Sequence, residues 1–485
     1  MAIEEIRNFR LQKLKKLQEA GMNPYADKTE RDFSIGEILG KWSEFEGRSG
    51  ETHIAGRVMA LRGQGALIFV DLYDGTGKIQ ALLKKGDINE KLLTLFEETI
   101  DLGDFIEVSG GFLVTKRGEK TIAVKDWKIL TKSLHPLPEK WHGLQDVEER
   151  YRKRYLDILL NPELKKTIEL KAKFWDVIRD FFKTRDFLEV ETPTLEFTTG
   201  GAEARPFKTH HNDFDTDLYL RISVGELWQK RLMAAGFQKT FEIGRAYRNE
   251  GTSQEHIQEF TNLEFYLAYA DYRDGMKLVR ELYITIAEKV FGKTKFTTRG
   301  QMFDLKDEWR EIDYTEEIKR QMGINIEKDS EEKIKDKLKE LGIEYVGSHK
   351  ERLIDSLWKH CRKQIGGPAF VINHPTLVAP LAKKLDGKNI TQMFQPIIAG
   401  SEVGRGYSEL NDPIDQKERF EIQEKLIKAG DEEAMMPDFE FVEMLEYGMP
   451  PTCGFGFGER LFSLLIDKPL RETQIFPLMK PRGKE

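Results

Sequence analysis

The sequence predicts an α+β chain of two domains, a small β-barrel followed by a larger domain built on antiparallel strands and helices. Two observations carry this. Residues 52–130 hold five strand-like runs, with a helix after the third. Further on, Phe241 to Tyr269 reads as two apolar runs around a polar, Gly-bearing excursion from Arg248 to Gln258, the pattern of two antiparallel strands joined by a long loop. Loops this long inside a compact domain are usually functional. At 485 residues the chain can build two or three cores.

Composition narrows the class. Lys and Arg number 76 against 83 Asp and Glu, a net charge of -7. That excludes wholesale adsorption to nucleic acid but allows a local basic patch. Cys361 and Cys453 lie far apart with no CxxC, so they form neither a disulfide framework nor a thiolate zinc site. No long apolar run exists, and the N-terminus is too charged for a signal peptide. The expectation is a cytoplasmic protein with no membrane segment.

In chain order, residues 2–20 read as a helix with Leu11, Leu14 and Leu17 on one side and Arg7, Arg10, Lys13, Lys15 and Lys16 elsewhere. It is either a solvated helix or a basic arm for phosphates, and with its lead-in it fills residues 1–50. The strand runs are 52–62, 67–74, 77–83, 104–116 and 122–130, with a tight turn at Asp74-Gly75 and Thr76-Gly77. Ile88, Leu92, Leu95 and Phe96 mark a helix over 88–99. Five strands with a helix there make an OB-fold β-barrel over 51–132, a fold whose open face commonly binds single-stranded nucleic acid. Phe69 and Gln80 fall where such proteins place a stacking ring and a base-reading amide, though either alone is also ordinary barrel surface. Residues 133–150, with Pro136 and Pro138, read as a linker.

The large domain spans 151–485. A helix over 163–186 carries Phe174, Val177, Ile178, Phe181 and Phe182 on one side, and a strand at Phe187 to Glu191 ends before Pro193. Thr199-Gly200-Gly201-Ala202 is a loop that allows close backbone approach to a ligand. His210-His211 invites a zinc reading, but adjacent strand residues point to opposite faces. Leu218 to Ile222 is a strand, and Gly225-Glu226 starts a helix. Residues 271–291 form another helix, and 310–360 read as an insertion of charged helices. Ala369 to Ile372 is a buried strand. Ile397 to Asn411 reads as one strand rich in carboxylates, and an inward Glu402 or Glu409 implies a metal or an amine as partner.

Arg248 and Glu250, two residues apart, share a strand face at the root of the long loop. An Arg fork suits a carboxylate or phosphate, a Glu can accept from an adenine amino group, and Phe260 offers a stacking ring. Gly454 to Arg460, glycines alternating into a helix, suit a phosphate near the helix N-terminus.

Together these stretches resemble the bacterial class II (subclass IIb) lysyl-tRNA synthetases over nearly the whole chain. Residues 174–193 resemble the first class II motif, which builds the dimer interface; Arg248-Asn249-Glu250 through Phe260 the second; Gly456 to Arg460 the third. More specific to the lysine enzyme are Ala204 to Phe207 with His210 to Asn212, Asn262 to Tyr266, Ala270 to Tyr272, and Tyr407 to Asp412. The resemblance implies a six-stranded antiparallel sheet flanked by helices, a homodimer, and the substrates ATP, L-lysine and tRNA(Lys). It implies that Arg248 bridges the lysine carboxylate and the ATP α-phosphate, that Glu250 and Phe260 hold adenine, and that His256 meets a terminal phosphate. Arg460 would lie against adenine and the γ-phosphate, and Glu402 would hold Mg²⁺. Glu409 and Tyr266, with Glu264 nearby, would take the lysine ε-ammonium, and Gly201 and Glu226 the α-amino group. Arg405 and Tyr407 complete the expected lysine-binding set, and Arg57, Phe69 and Gln80 the anticodon-binding set.

The chain departs from the family pattern at several places. Arg405 stands where Asn is usual, Gln395 where a second metal-binding Glu is usual, and Glu255 where a phosphate-binding Arg is usual. Val224-Gly225-Glu226 carries one extra residue, and Gly458-Glu459-Arg460 is one shorter. Two other readings therefore stand beside the lysine enzyme: an aspartate or asparagine enzyme using Arg405 toward the side chain, and a tRNA-binding paralogue without catalysis.

Overall fold

The computed structural model describes all residues except 1–2, 49, 65, 139–143, 202–203, 252, 254, 346–348, 431–433 and 484–485. Ala202 of the glycine loop and parts of the linker, the long loop and the helical insertion thus lie outside the described residues. The chain divides into two compact units, Met1–Arg150 and Tyr151–Glu485.

In the first unit, strands Thr52–Gln64, Leu67–Tyr73, Lys78–Lys84, Phe105–Val114 and Lys120–Thr131 close a barrel in the order first, second, third, fifth, fourth. Alternation does the sorting. Ile68, Val70, Leu72, Ile79, Ala81 and Leu83 point inward, while Phe69, Asp71, Tyr73 and Gln80 stay on the outer face. The turn forms because Asp74 Oδ1 accepts from Thr76 N (2.9 Å) and Gly77 N (3.1 Å) and Gly75 takes φ 91°. Helix Glu90–Thr99, capped by Asn89, packs Phe96 edge-on against Trp127 at 5.0 Å. The N-terminal helix Ile3–Glu19 buries Leu17 against this barrel. Two of its cations are already engaged there: Arg10 donates to Leu102 O and Ser133 O, and Lys13 pairs with Asp101 at 2.7 Å.

The second unit is organised on a nine-stranded sheet. Its core is six antiparallel strands in the spatial order Lys239–Tyr247, Glu259–Ala268, Thr452–Gly458, Arg405–Ser408, Met393–Ile398 and Ala369–Ile372. Parallel strands extend it at both ends, Leu188–Glu189 beside Lys239–Tyr247 and Arg310–Asp313 beside Ala369–Ile372. Helices Pro162–Lys183 and Tyr272–Ile286 cover the sheet: Phe182 stacks on Phe241 at 5.1 Å, and Tyr283 meets Phe457 at 5.4 Å.

Two expectations are corrected. Ile397 to Asn411 is not one strand; it folds back through Ala399 and Gly400, both at positive φ, into the short pair Ser401–Glu402, then resumes as Arg405–Ser408. Residues 310–313 of the charged insertion are a strand, and its helices are Tyr314–Met322, Glu331–Glu340 and Lys350–Cys361. The alternating glycines 454, 456 and 458 lie within the central strand Thr452–Gly458, and the expected helix follows as Arg460–Leu465. Phe455 and Phe457 between them fill the core, so the glycines share the opposite face.

Candidate active site

The six-stranded core opens on one face into a cavity of about 650 Å³. The three glycines form its floor, and each meets a different part of its wall. A Cβ on Gly454 would lie 2.2 Å from Glu409 Oε1 and 2.5 Å from a Tyr266 ring carbon. One on Gly456 would lie 3.0 Å from Glu264 Cγ, and one on Gly458 3.0 Å from Asn262 Oδ1 and 3.6 Å from the Phe260 ring. At Gly454 only glycine fits, and at Gly456 and Gly458 a methyl group would press on the neighbouring side chains.

One end of the cavity is rich in carboxylates. Strand alternation turns Glu264 and Tyr266 to the same face of Glu259–Ala268, and Glu226 enters from the first turn of helix Glu226–Ala234. Glu226, Glu264 and Glu409 are all buried. Glu264 accepts from Val224 N at 2.7 Å, Asn262 Nδ2 at 3.3 Å and the Tyr266 hydroxyl at 3.2 Å. The Tyr407 hydroxyl donates to Glu226 Oε1. Burial, with Glu226 adding like-charge repulsion, pushes the Glu264 carboxyl well above the usual carboxylate range. Burial raises Glu409 too, against the opposing pull of an ammonium that the sequence motifs do not single out. That ammonium is Lys230, fully buried, 2.6 Å from Glu409 Oε2 and 3.1 Å from Glu226 Oε1. The chain does carry a signal for it: Glu226 and Lys230 stand four apart on one helix, the spacing at which such pairs face each other.

The other end is rich in arginine. Arg248, at the close of strand Lys239–Tyr247, donates to Ile222 O at 3.3 Å and lies 5.4 Å from the centre of the Phe260 ring. Arg460 donates to Glu402 O at 3.1 Å, and its Nη2 lies 3.2 Å from His256 Nε2. Glu250 lines the same space. Burial and then the Arg460 charge push the His256 imidazole down to about 4, so it is neutral near pH 7. Glu255 is not isolated among these cations. Its Oε1 accepts from Arg299 at 2.5 Å and Ser401 at 2.9 Å, and its Oε2 lies 3.9 Å from Arg362 and 4.0 Å from Arg460. Burial opposes its charge, but these arginines outweigh that and hold the carboxyl down to about 2. Arg299 and Arg362 thus supply cations beside the position where the family pattern has an Arg and this chain has Glu255.

Arg405 points toward this end as well, with Nε 3.5 Å from Glu402 Oε1, rather than into the carboxylate end. Burial would raise Glu402, but Arg405, Arg362 and Arg460 hold it below the ordinary range. Beside it the Gln395 Oε1 oxygen is buried with no hydrogen-bond partner. His210 and His211, outside this cavity, follow alternation: His210 faces Asp217, and His211 stacks on Phe214. On the barrel, Arg57 lies over the Phe105 ring at 4.4 Å, Phe69 is half-buried, and Gln80 donates to Thr121 Oγ1 at 2.9 Å, all on the outer face.

A cavity with carboxylates at one end and arginines at the other fits a molecule cationic at one end and anionic at the other. Comparison with known proteins gives the family. Residues 146–480 match the family described as tRNA synthetases class II (D, K and N), and residues 52–130 match the OB-fold nucleic acid binding domain. The chain belongs to the class II tRNA synthetases. It is 41% identical over its full length to a protein named lysine–tRNA ligase from Thermotoga maritima, covering 97% of that protein. Proteins of the same name from Thermosipho africanus and Pelotomaculum thermopropionicum are 42% and 43% identical over 99% of this chain, covering 97% and 96% of theirs. Among the described residues, no helix of this synthetase is long and apolar enough to cross a membrane.

Proposed function

We propose that this chain is a lysine–tRNA ligase: it joins L-lysine to ATP as lysyl-adenylate, releasing pyrophosphate, then passes lysine to the 3′ adenosine of tRNA(Lys). The observation that carries the choice of lysine is the buried carboxylate end of the cavity, Glu226, Glu264 and Glu409 with Tyr266 and Tyr407. A neutral or acidic side chain placed there would leave buried carboxylates unpaired, a large penalty. Arg405 turns to Glu402 instead, which removes the main support for an aspartate or asparagine substrate.

The lysine carboxylate is the nucleophile and needs no strong base. The difficulty is bringing two anions into line, and Arg248 meets it by neutralising the carboxylate and the α-phosphate together. Phe260 and Glu250 hold the adenine, and neutral His256 with Arg460 meets the terminal phosphates. A Mg²⁺ fits at Glu402 and the unpartnered Gln395 oxygen, two hard oxygen donors of the kind that ion prefers. When bound it neutralises phosphate charge. The barrel reads the anticodon through Phe69, with Arg57 and Gln80 on bases. The protein works as a cytoplasmic homodimer.

ATP–pyrophosphate exchange with each amino acid in turn, without tRNA, tests this reading. Exchange with lysine is expected. Exchange with aspartate or asparagine instead would overturn the lysine assignment, and exchange with none would leave a tRNA-binding protein.

A further inference from the structure

Lys230 lies behind the cavity wall, outside the cavity lining, between two of its carboxylates. It is fully buried in a cage of Glu226, Glu409 and the rings of Tyr407 and Phe441, whose centres lie 5.4 and 5.8 Å from its Nζ. A buried ammonium is costly unless it is paired. This one takes a single oxygen from each carboxylate, Glu226 Oε1 and Glu409 Oε2. The other two oxygens are left facing glycines of the cavity: Glu226 Oε2 would be 2.9 Å from a Cβ on Gly201, and Glu409 Oε1 2.2 Å from one on Gly454.

We infer that Lys230 is a positioning residue for substrate lysine, an internal ammonium that ties Glu226 and Glu409 together at a fixed spacing and presents one free oxygen of each to the two ammonium groups of the substrate. The inference rests on the lysine-ligase reading above. Without Lys230 the two carboxylates repel, and each is free to rotate its cavity-facing oxygen away. Lys230 also opposes the rise of the Glu409 carboxyl: burial raises it, Lys230 pulls it back, and Glu226 and Glu264 push it up again. The groups facing Glu409 are Lys230 and Glu226 from their helix, Glu264 and Tyr266 from strand Glu259–Ala268, Tyr407 from its own segment and Cys453 from strand Thr452–Gly458. Among these Lys230 is the cation.

The test is ATP–pyrophosphate exchange by full-length Lys230→Met and Lys230→Arg, with lysine and ATP each varied, from mildly acid to mildly alkaline pH. Lys230→Met is expected to raise the lysine KM near neutrality by about tenfold or more, the equivalent of one unit in the Glu409 titration. It should also move the acid limb of kcat/KM for lysine to higher pH, and leave the ATP KM within about twofold. Lys230→Arg should recover most of the lysine KM. An unchanged lysine KM and acid limb would overturn the proposal. So would lysine and ATP parameters falling together with no shift of the limb, the signature of a merely structural role. Should Lys230→Met fail to fold, Lys230→Gln carries the same two readouts. Wild-type protein that exchanges no pyrophosphate with lysine would refute the ligase reading itself, whatever Lys230 does.

Discussion

The two ends of the cavity solve charge in opposite ways. At the carboxylate end the side chains are buried, with Glu409 at 2% exposure and Lys230 at 1%. There Glu226 and Glu409 share a fixed partner in Lys230, because the low dielectric makes an unpaired charge expensive. At the arginine end the groups are partly open: the Arg299, Arg405 and Arg460 side chains are 43%, 49% and 26% exposed. Water screens these three, while Glu255 and Gln395 beside them are more deeply set. Charge is held by buried pairing at one end and screened by water at the other.

That contrast is breakable, in order of expected effect. Glu409→Gln takes away one of the two carboxylates that hold Lys230 and the proposed ε-ammonium partner; kcat/KM for lysine should fall by about 3–5 kcal/mol, and intact lysine activation would place the specificity pocket elsewhere. Arg248→Ala should lower kcat of exchange by about 10²–10³-fold with the lysine KM less affected, since its stabilisation grows toward the transition state. Phe69→Ala should weaken tRNA binding by about 1–3 kcal/mol and leave exchange untouched; loss of both would contradict a role confined to the barrel. Lysine binding should weaken as pH falls. The raised Glu264 and Glu409 carboxyls take up protons first on acidification, the bound ammonium needs them charged, and binding must therefore release protons. Calorimetry in buffers of different ionisation heat measures that release. Glu255→Gln is the mildest: the arginines lose a competing anion, and the ATP KM should fall by about twofold to tenfold, about 1 kcal/mol. A rise would make Glu255 part of the nucleotide site.

Much of the fold is legible in the amino-acid sequence. The barrel is, because alternation over residues 67–73 and 78–84 and the Asp74 turn are local signals. So is the hairpin around Arg248, with strands Lys239–Tyr247 and Glu259–Ala268 where the apolar runs lie. What is not legible depends on distant partners. Strand Arg310–Asp313 exists because Ala369–Ile372 pairs with it, and nothing in its own sequence announces that. The partnership of Glu255 with Arg299 and Ser401 joins residues 44 and 146 positions apart. The break at Ala399 and Gly400 is hidden by an apolar run on one side and by Ala399 holding a φ of 47°, unusual for a residue with a side chain. Lys230 is the exception: its helical spacing to Glu226 is a local signal, but one shared with many solvated Glu–Lys pairs along the chain.

The glycine floor has a consequence for anyone who would re-engineer this protein. A single strand lines both ends of the cavity; at Gly454 there is no slack for even one methyl group, and at Gly458 one would press on Asn262 Oδ1 at 3.0 Å. Libraries aimed at larger or differently shaped amino acids should leave 454, 456 and 458 fixed and vary the walls, Tyr266, Tyr407 and the helix that carries Glu226. A ruler can be read against new objects only while its own markings stay put.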